Sequence, residues 1–357
     1  MIILVLKPGL RHLEYACFED RGEEPVARGR VADYRGREVE EAAVKTALAR
    51  ARGALGGRQP EVVVVHAAVT RGDRAGQVYD ETVRRELEEM TTRAPLRIPV
   101  LLAALDACRE VFEGAEIVVA SESAFFAHLP EREQRYGLDE KLSAQLGLRR
   151  FGFHGLFHEA ACRSAAAERS WPLGAPARIL SVCLEPKPEV AAVLGTQAVM
   201  VSGGQTPLEG LPGETTCGEL DPGVLLILSQ DLKWGPEQIN QELSNRSGLS
   251  GAAGQPVSLQ AVFQSEDKGH VLARDMFQYR LLQACGAGMA ALSGLDVIVF
   301  SGRYVDLADK IGPWLVSQPV FNHPPFISGV AWRKYGRSLE RIAADLGAAT
   351  AAAAERV

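Results

Sequence analysis

Cysteine is sparse and unclustered. The 357 residues contain six, Cys17, Cys108, Cys162, Cys183, Cys217 and Cys285, with no CxxC or other metal-type spacing. That pattern speaks against a disulfide framework or a zinc module and suits reduced thiols in a cytoplasm. Long apolar runs are missing too, since none reaches the roughly 18 residues that span a bilayer. The opening MIILVLKPG has six apolar residues with no basic region before them and no small-residue cleavage site after them, so it reads as a buried strand rather than a signal peptide. No window gathers Lys and Arg into a stripe, and the formal net charge is −6 with a pI near 5.8, which argues against a nucleic-acid surface. A cytoplasmic protein with small-molecule partners and no membrane segment is expected.

What is present fits an ordinary globular chain, 46% hydrophobic and 24% charged. Its length predicts two domains of roughly 150 to 200 residues. Strand-length runs rich in β-branched residues recur at Ile2–Leu6, Val62–Val65, Ile117–Ala120, Ile179–Leu184, Val190–Val193, Ala198–Ser202 and Val297–Phe300. Helical patterns fall at Tyr79–Met90, Pro99–Val111, His158–Glu168 and Val271–Leu292. This alternation predicts an α/β protein. A strand, a hairpin partner and later strand-helix units follow both Met1 and Ile179, which suggests a duplicated fold. The boundary is expected after Gly147, giving domains 1–148 and 149–330, with a C-terminal helix in 331–357 returning to the first. The small-residue stretch Gly347–Ala354 reads either as a helix end packed on the body or as a frayed tail.

Three segments carry chemical interest. FGFHG (Phe151–Gly155) sets a histidine between glycines just before a helix, and by itself reads as a turn whose histidine caps that helix. TPLEGLPGE (Thr206–Glu214) and CGELDPG (Cys217–Gly223) are neighbouring Gly/Pro-rich loops of the kind that line sites between strand and helix.

In order and spacing these segments resemble the acetate/propionate kinase family, of the actin/Hsp70/sugar-kinase superfamily. MIILVLKPGLRHLEY is similar to that family's first strand and phosphate turn, and VVVVHAA (Val62–Ala68) to its His-Arg-Val-Val-His-Gly-Gly strand. RAPLRIP (Arg93–Pro99), SESAFFAHLP (Ser121–Pro130), RRFGFHGLFH (Arg149–His158), TPLEGL (Thr206–Leu211), ELDPG (Glu219–Gly223), SGLSG (Ser247–Gly251) and GLDVIVFSG (Gly294–Gly302) continue the match. The resemblance implies two ribonuclease-H-like (actin-like ATPase) domains flanking a cleft in which ATP with Mg2+ and a short-chain carboxylate meet, and a homodimer.

Residue by residue, the resemblance implies catalytic positions at Glu122, where the family has an aspartate, and at His154. It implies an acyl pocket of Val65, Leu96, Phe153 and Pro207. The phosphate-handling positions are substituted. The family's two arginines fall on Val63 and Thr216, the asparagine of its phosphate turn on Lys7 and the three serines on Leu10, Arg11 and His12. Its histidine and Gly-Asn-Gly loop become Cys183 to Glu189, and a glutamate of its magnesium site has a stand-in at Asp306 only if the loop shifts. Arginine clamps on a transferring phosphoryl group lower the barrier by several kcal/mol in such enzymes. Lys7 and Lys187 could restore positive charge or be plain loop lysines. No metal ligands are assigned.

These substitutions lead to the expectation of a pseudokinase that acts by binding a ligand or a protein. The alternatives are a divergent ATP-dependent carboxylate kinase, with Lys7, Lys187, Arg149 or Arg303 taking phosphate contacts, and a structural homodimeric scaffold.

Overall fold

The computed structural model describes the chain apart from residues 10–11, 20–21, 33–40, 69, 71, 92–97, 169–174, 323–328, 355 and 357. Leu10, Arg11 and Leu96 therefore lie outside the described residues. The chain divides into two units, one of Met1–Ala127 with Arg337–Val357 and one of His128–Gly336.

In the first unit, β1 (Ile2–Pro8), β2 (His12–Glu19) and β3 (Ala27–Ala32) form an antiparallel meander. Helix α1 (Glu41–Gly53), β4 (Val62–Ala67), β5 (Gly76–Val78), α2 (Glu81–Met90), α3 (Ile98–Val111) and β6 (Glu116–Ser121) follow. The sheet order is β3-β2-β1-β4-β6-β5, with β1, β4 and β6 parallel. Their unbroken apolar runs make sense because both faces are covered. Leu4, Leu6, Val63 and Val65 face a core shared with Leu48, Leu101 and Phe112.

The C-terminal helix (Leu339–Ala354) covers the other face. A Cβ on Gly347 would collide with Val64 Cγ2, so glycine allows the close approach. The buried Arg341 pins this helix, its guanidinium 4.6 Å from the Phe18 ring and donating to Gly22 O at 2.7 Å. Gly347–Ala354 is thus packed helix, not a frayed tail.

The second unit contains α4 (Glu131–Gln134), α5 (Glu140–Leu146), α6 (Gly155–Ala166), β7 (Arg178–Cys183), β8 (Glu189–Leu194), β9 (Gln197–Val201), α7 (Pro222–Asp231), α8 (Pro236–Asn245), α9 (Gly248–Ala253), α10 (Leu259–Val262), α11 (Lys268–Leu292), β10 (Val297–Ser301), α12 (Ala308–Ser317) and β11 (Ala331–Lys334). Its sheet order is β11-β10-β7-β8-β9, a meander β7-β8-β9 extended by parallel β10 and β11. Read from its meander end, this is the order of the first sheet without its edge strand β5.

The first division falls after Ala127 rather than after residue 148. The reason is hydrogen bonding. Glu133 Oε1 accepts from Val201 N at 3.2 Å, and Tyr136 OH donates to Glu209 at 2.6 Å, tying α4 and its neighbours to the second sheet. The second division follows Gly336 rather than residue 330, because β11 pairs with β10.

Candidate functional site

The end of β4 and the start of the turn after β6 bring two chemical groups together in the first unit. Register pairs His66 with Ala120 and Ala67 with Ser121, and Glu122 N donates to Ala67 O at 3.0 Å. This seats the Glu122 carboxylate 2.7 Å from His66 Nε2. Glu122 is 4% exposed, and a carboxylate so deep in the protein is sustained by such a partner. Thr70, Ser121 and Ser123 surround the same strand ends with bonds of 3.0 Å (Thr70 N to Ser123 Oγ) and 2.6 Å (Thr70 Oγ1 to Ser121 Oγ). Carboxyl ends of parallel strands are where open α/β sheets present their ligand-handling groups.

Other first-unit candidates are placed differently. Val65 is 0% exposed, inside the core, and presents no surface. Lys7 is paired, 3.4 Å from Glu340 and 3.8 Å from Glu14. Sequence reasoning does not single out His66 as the partner of Glu122. Its position at the strand end is the signal that could mark it.

In the second unit His154 precedes α6 in the left-handed conformation, at φ 55°. Its side chain does not cap the helix. Instead, Nε2 meets Lys187 O at 2.9 Å. Phe153 and Pro207 are half-buried in this unit.

The β7–β8 hairpin holds the residues that the resemblance aligns with a nucleotide-phosphate loop. The Glu185 carboxylate accepts the Arg303 backbone N–H at 2.7 Å and lies 3.5 Å from the Arg303 guanidinium. Glu189 likewise accepts the Phe153 N–H. Pro186 and Pro188 have no N–H to offer. Glu214, on the facing loop, accepts Leu259 N at 2.8 Å and Tyr304 OH at 2.7 Å, and burial with that bond pushes the Tyr304 phenol up to about 12. Three backbone N–H groups around this hairpin, those of Arg303, Phe153 and Leu259, are thus met by the chain's own carboxylates.

Lys187 threads under the loop and donates to Leu211 O, and burial pushes its amine down to about 8. The Thr216 hydroxyl is buried with no hydrogen-bond partner among the described residues. Cys183 is buried at the end of β7. Asp306 is 95% exposed and 3.7 Å from Lys334. Among the described residues, no group of three or more His, Cys, Asp or Glu could hold a metal ion, and no helix is long and apolar enough to cross a membrane.

Similarity to known proteins covers most of the chain. Residues 35–311 match the Acetokinase family. An acetate kinase of Clostridium botulinum (strain Kyoto / Type A2) is 28% identical over 331 residues, 84% of this chain and 83% of the relative. Acetate kinase 2 of Photobacterium profundum is 33% identical over 250 residues, 69% of this chain and 62% of the relative. The crystal structure of Porphyromonas gingivalis acetate kinase superposes with a TM-score of 0.82 at 23% identity, covering 98% of this chain and 99% of that one. A propionate kinase from Francisella tularensis subsp. tularensis gives 0.79 at 19%, covering 98% and 99%. The fold is therefore the two-domain actin-like α/β architecture, each sheet with the ribonuclease-H strand order. With its family match running through both units and its strand order repeated in each, the chain belongs to the acetokinase (acetate/propionate kinase) family.

Proposed function

We propose that the chain is a divergent carboxylate kinase, a phosphotransferase that joins phosphate to a small carboxylate such as acetate or propionate. The observation that carries this reading is the Glu122–His66 pair, a buried carboxylate 2.7 Å from a part-buried imidazole at the ends of parallel strands; the resemblance implies a catalytic carboxylate at Glu122. Phosphoryl transfer needs little covalent help and much positioning. In this reading, Glu122, held by His66, orients the reacting groups, and His154 keeps the association with the transferring phosphoryl group that the resemblance implies for it. Phe153 and Pro207 select a short acyl chain. No step is assigned to the β7–β8 hairpin. Coupled assays with Mg-ATP and acetate, propionate or butyrate test the proposal. Turnover that survives Glu122→Ala would sink the role given to Glu122.

A second reading, a family member that binds a carboxylate or acyl ligand without turnover, is favoured by one observation. The carboxylates of Glu185, Glu189 and Glu214 already occupy backbone N–H groups. Calorimetric titration separates the two: binding of acetate or acetyl phosphate with no turnover and no heat from Mg-ATP selects the second.

We also propose a cytoplasmic homodimer formed through the second unit. Helix α7 buries none of its residues and leaves Leu226 and Ile227 61% and 56% exposed, and α11 leaves Leu272 and Tyr279 59% and 60% exposed. Light scattering should give twice the chain mass, and a monomeric mass would reject the dimer.

A further inference from the structure

Glu189, at the start of β8, closes a turn of the second unit from within. It is 3% exposed, and its two carboxylate oxygens accept the Phe153 backbone N–H at 2.9 and 3.0 Å. His158, on the first turns of α6 and wholly buried, brings Nε2 to 3.3 Å from the same carboxylate, while its Nδ1 meets Ser181 Oγ at 2.8 Å. A Cβ on Gly203 would collide with Glu189 Oε2, so the backbone opposite leaves room for this carboxylate only by lacking a side chain.

The turn so held is a strained one. Gly152 and His154 both sit at positive φ, 67° and 55°, and for a residue with a Cβ the left-handed region costs roughly 1–2 kcal/mol. Such conformations persist where their surroundings over-determine them. Here two grips come from the same β7–β8 hairpin: Glu189 on the Phe153 N–H, one residue before His154, and Lys187 O on the His154 imidazole at 2.9 Å. Both reach across 33 to 36 residues of sequence.

We propose that Glu189 is a positioning residue that fixes the Phe151–His154 turn through the Phe153 N–H and thereby sets the orientation of the His154 imidazole. The hairpin that the family resemblance gives to an anion has in this chain taken up the task of holding a histidine. The consequence for turnover rests on the carboxylate-kinase reading; the positioning itself does not.

The test is hydrogen exchange and histidine NMR on the whole chain. In the unaltered protein the Phe153 amide must be among the slowly exchanging ones, and fast exchange there overturns the proposal outright. Glu189→Ser removes both acceptor oxygens from reach and should speed Phe153 exchange at least tenfold and move the His154 ring resonances. Glu189→Gln keeps the shape and one acceptor but loses the charge, and charge-assisted bonds are about twice as strong as neutral ones. It should give a smaller acceleration in the same direction and serves if the serine variant does not fold. Glu159→Gln, which removes only the surface pair with Arg163 on α6, should leave both readouts at parental values. If either Glu189 variant lowers the melting temperature while the His154 resonances stay put, the residue is merely structural and the proposal fails. Turnover is followed on the same samples. Its absence in the parent counts against the kinase reading alone.

Discussion

The two units use one strand order for different ends. In the first, the tips of β4 and β6 bring an imidazole and a carboxylate within 2.7 Å, an arrangement suited to moving or holding a proton. In the second, the hairpin after β7 turns inward: Glu185 and Glu189 occupy backbone N–H groups, and Lys187 donates to Leu211 O. The first leaves a carboxylate and an imidazole side by side at its strand ends, whereas the second uses its carboxylates on backbone N–H groups. A shared topology thus places residues comparably without dictating whether their polar groups point at a ligand or at each other.

The sharpest way to break this comparison is to remove the carboxylate of the first unit. Glu122→Ala should lower kcat for acetate by about 10²- to 10⁴-fold, the range typical of a positioned acid or base. The measurement is the coupled acyl-phosphate assay, and an unchanged kcat would erase the chemical distinction between the units.

Next comes the helix that covers the first sheet. Gly347→Val drives a β-branched group into Val64 and should cost about 1–3 kcal/mol in denaturant unfolding. Gly288→Val, on α11 in the second unit, meets a Leu180 methyl 2.6 Å away, and that flexible side chain can turn aside, so the loss should be smaller. Equal losses would mean that the two sheets are covered with equal tolerance.

Smaller again is the cap of α2. Asp80 accepts from Thr82 N at 2.9 Å and Val83 N at 2.8 Å, and Asp80→Ala should cost about 1 kcal/mol. At the start of the 25-residue α11, Asp267 accepts Gly269 N over a longer 3.1 Å, and its loss should be felt less. Urea midpoints of the two variants decide the order.

The last test is a slope, spread over a pH range rather than read at one midpoint. The Lys187 amine is pushed down from 10.5 to about 8 by burial, so between about pH 8 and 10.5 the unfolded chain binds the proton that the folded chain has released. Stability contributed at this site therefore rises with pH across that window and is lowest below it. Compared with Lys187→Met, the parent should gain stability from pH 8 to 10, and parallel profiles for the two proteins would place the amine in solvent.

Much of the fold was legible in the residues. Continuous β-branched runs such as Val62–Val65 and Val297–Phe300 can be satisfied only by strands buried on both faces, and each became one. The edge strands were harder to see: β3 (ARGRVA) and β11 (AWRK) carry charge on their exposed faces and lack that signature. The division between units differs from the expected one because what binds residues 128–150 to the second unit is Glu133, Tyr136 and Arg150 reaching distant partners, and no local pattern reveals that.

The candidate site divides along the same line. Motif order alone placed Glu122 and His154 at the ends of elements, since a family pattern is a statement about position along the chain. Whether Val65 faces a ligand or the core, whether Lys7 and Lys187 are available or paired, and what Glu189 grips were decided only when sheets and loops closed over one another. The sequence by itself determined the apolar central strands, helices such as α3 and α11, and the family, because periodicity and residue order are local properties. Tertiary structure alone decided which polar groups remain to act, because a hydrogen bond between residues tens of positions apart depends on register and burial that no single segment contains.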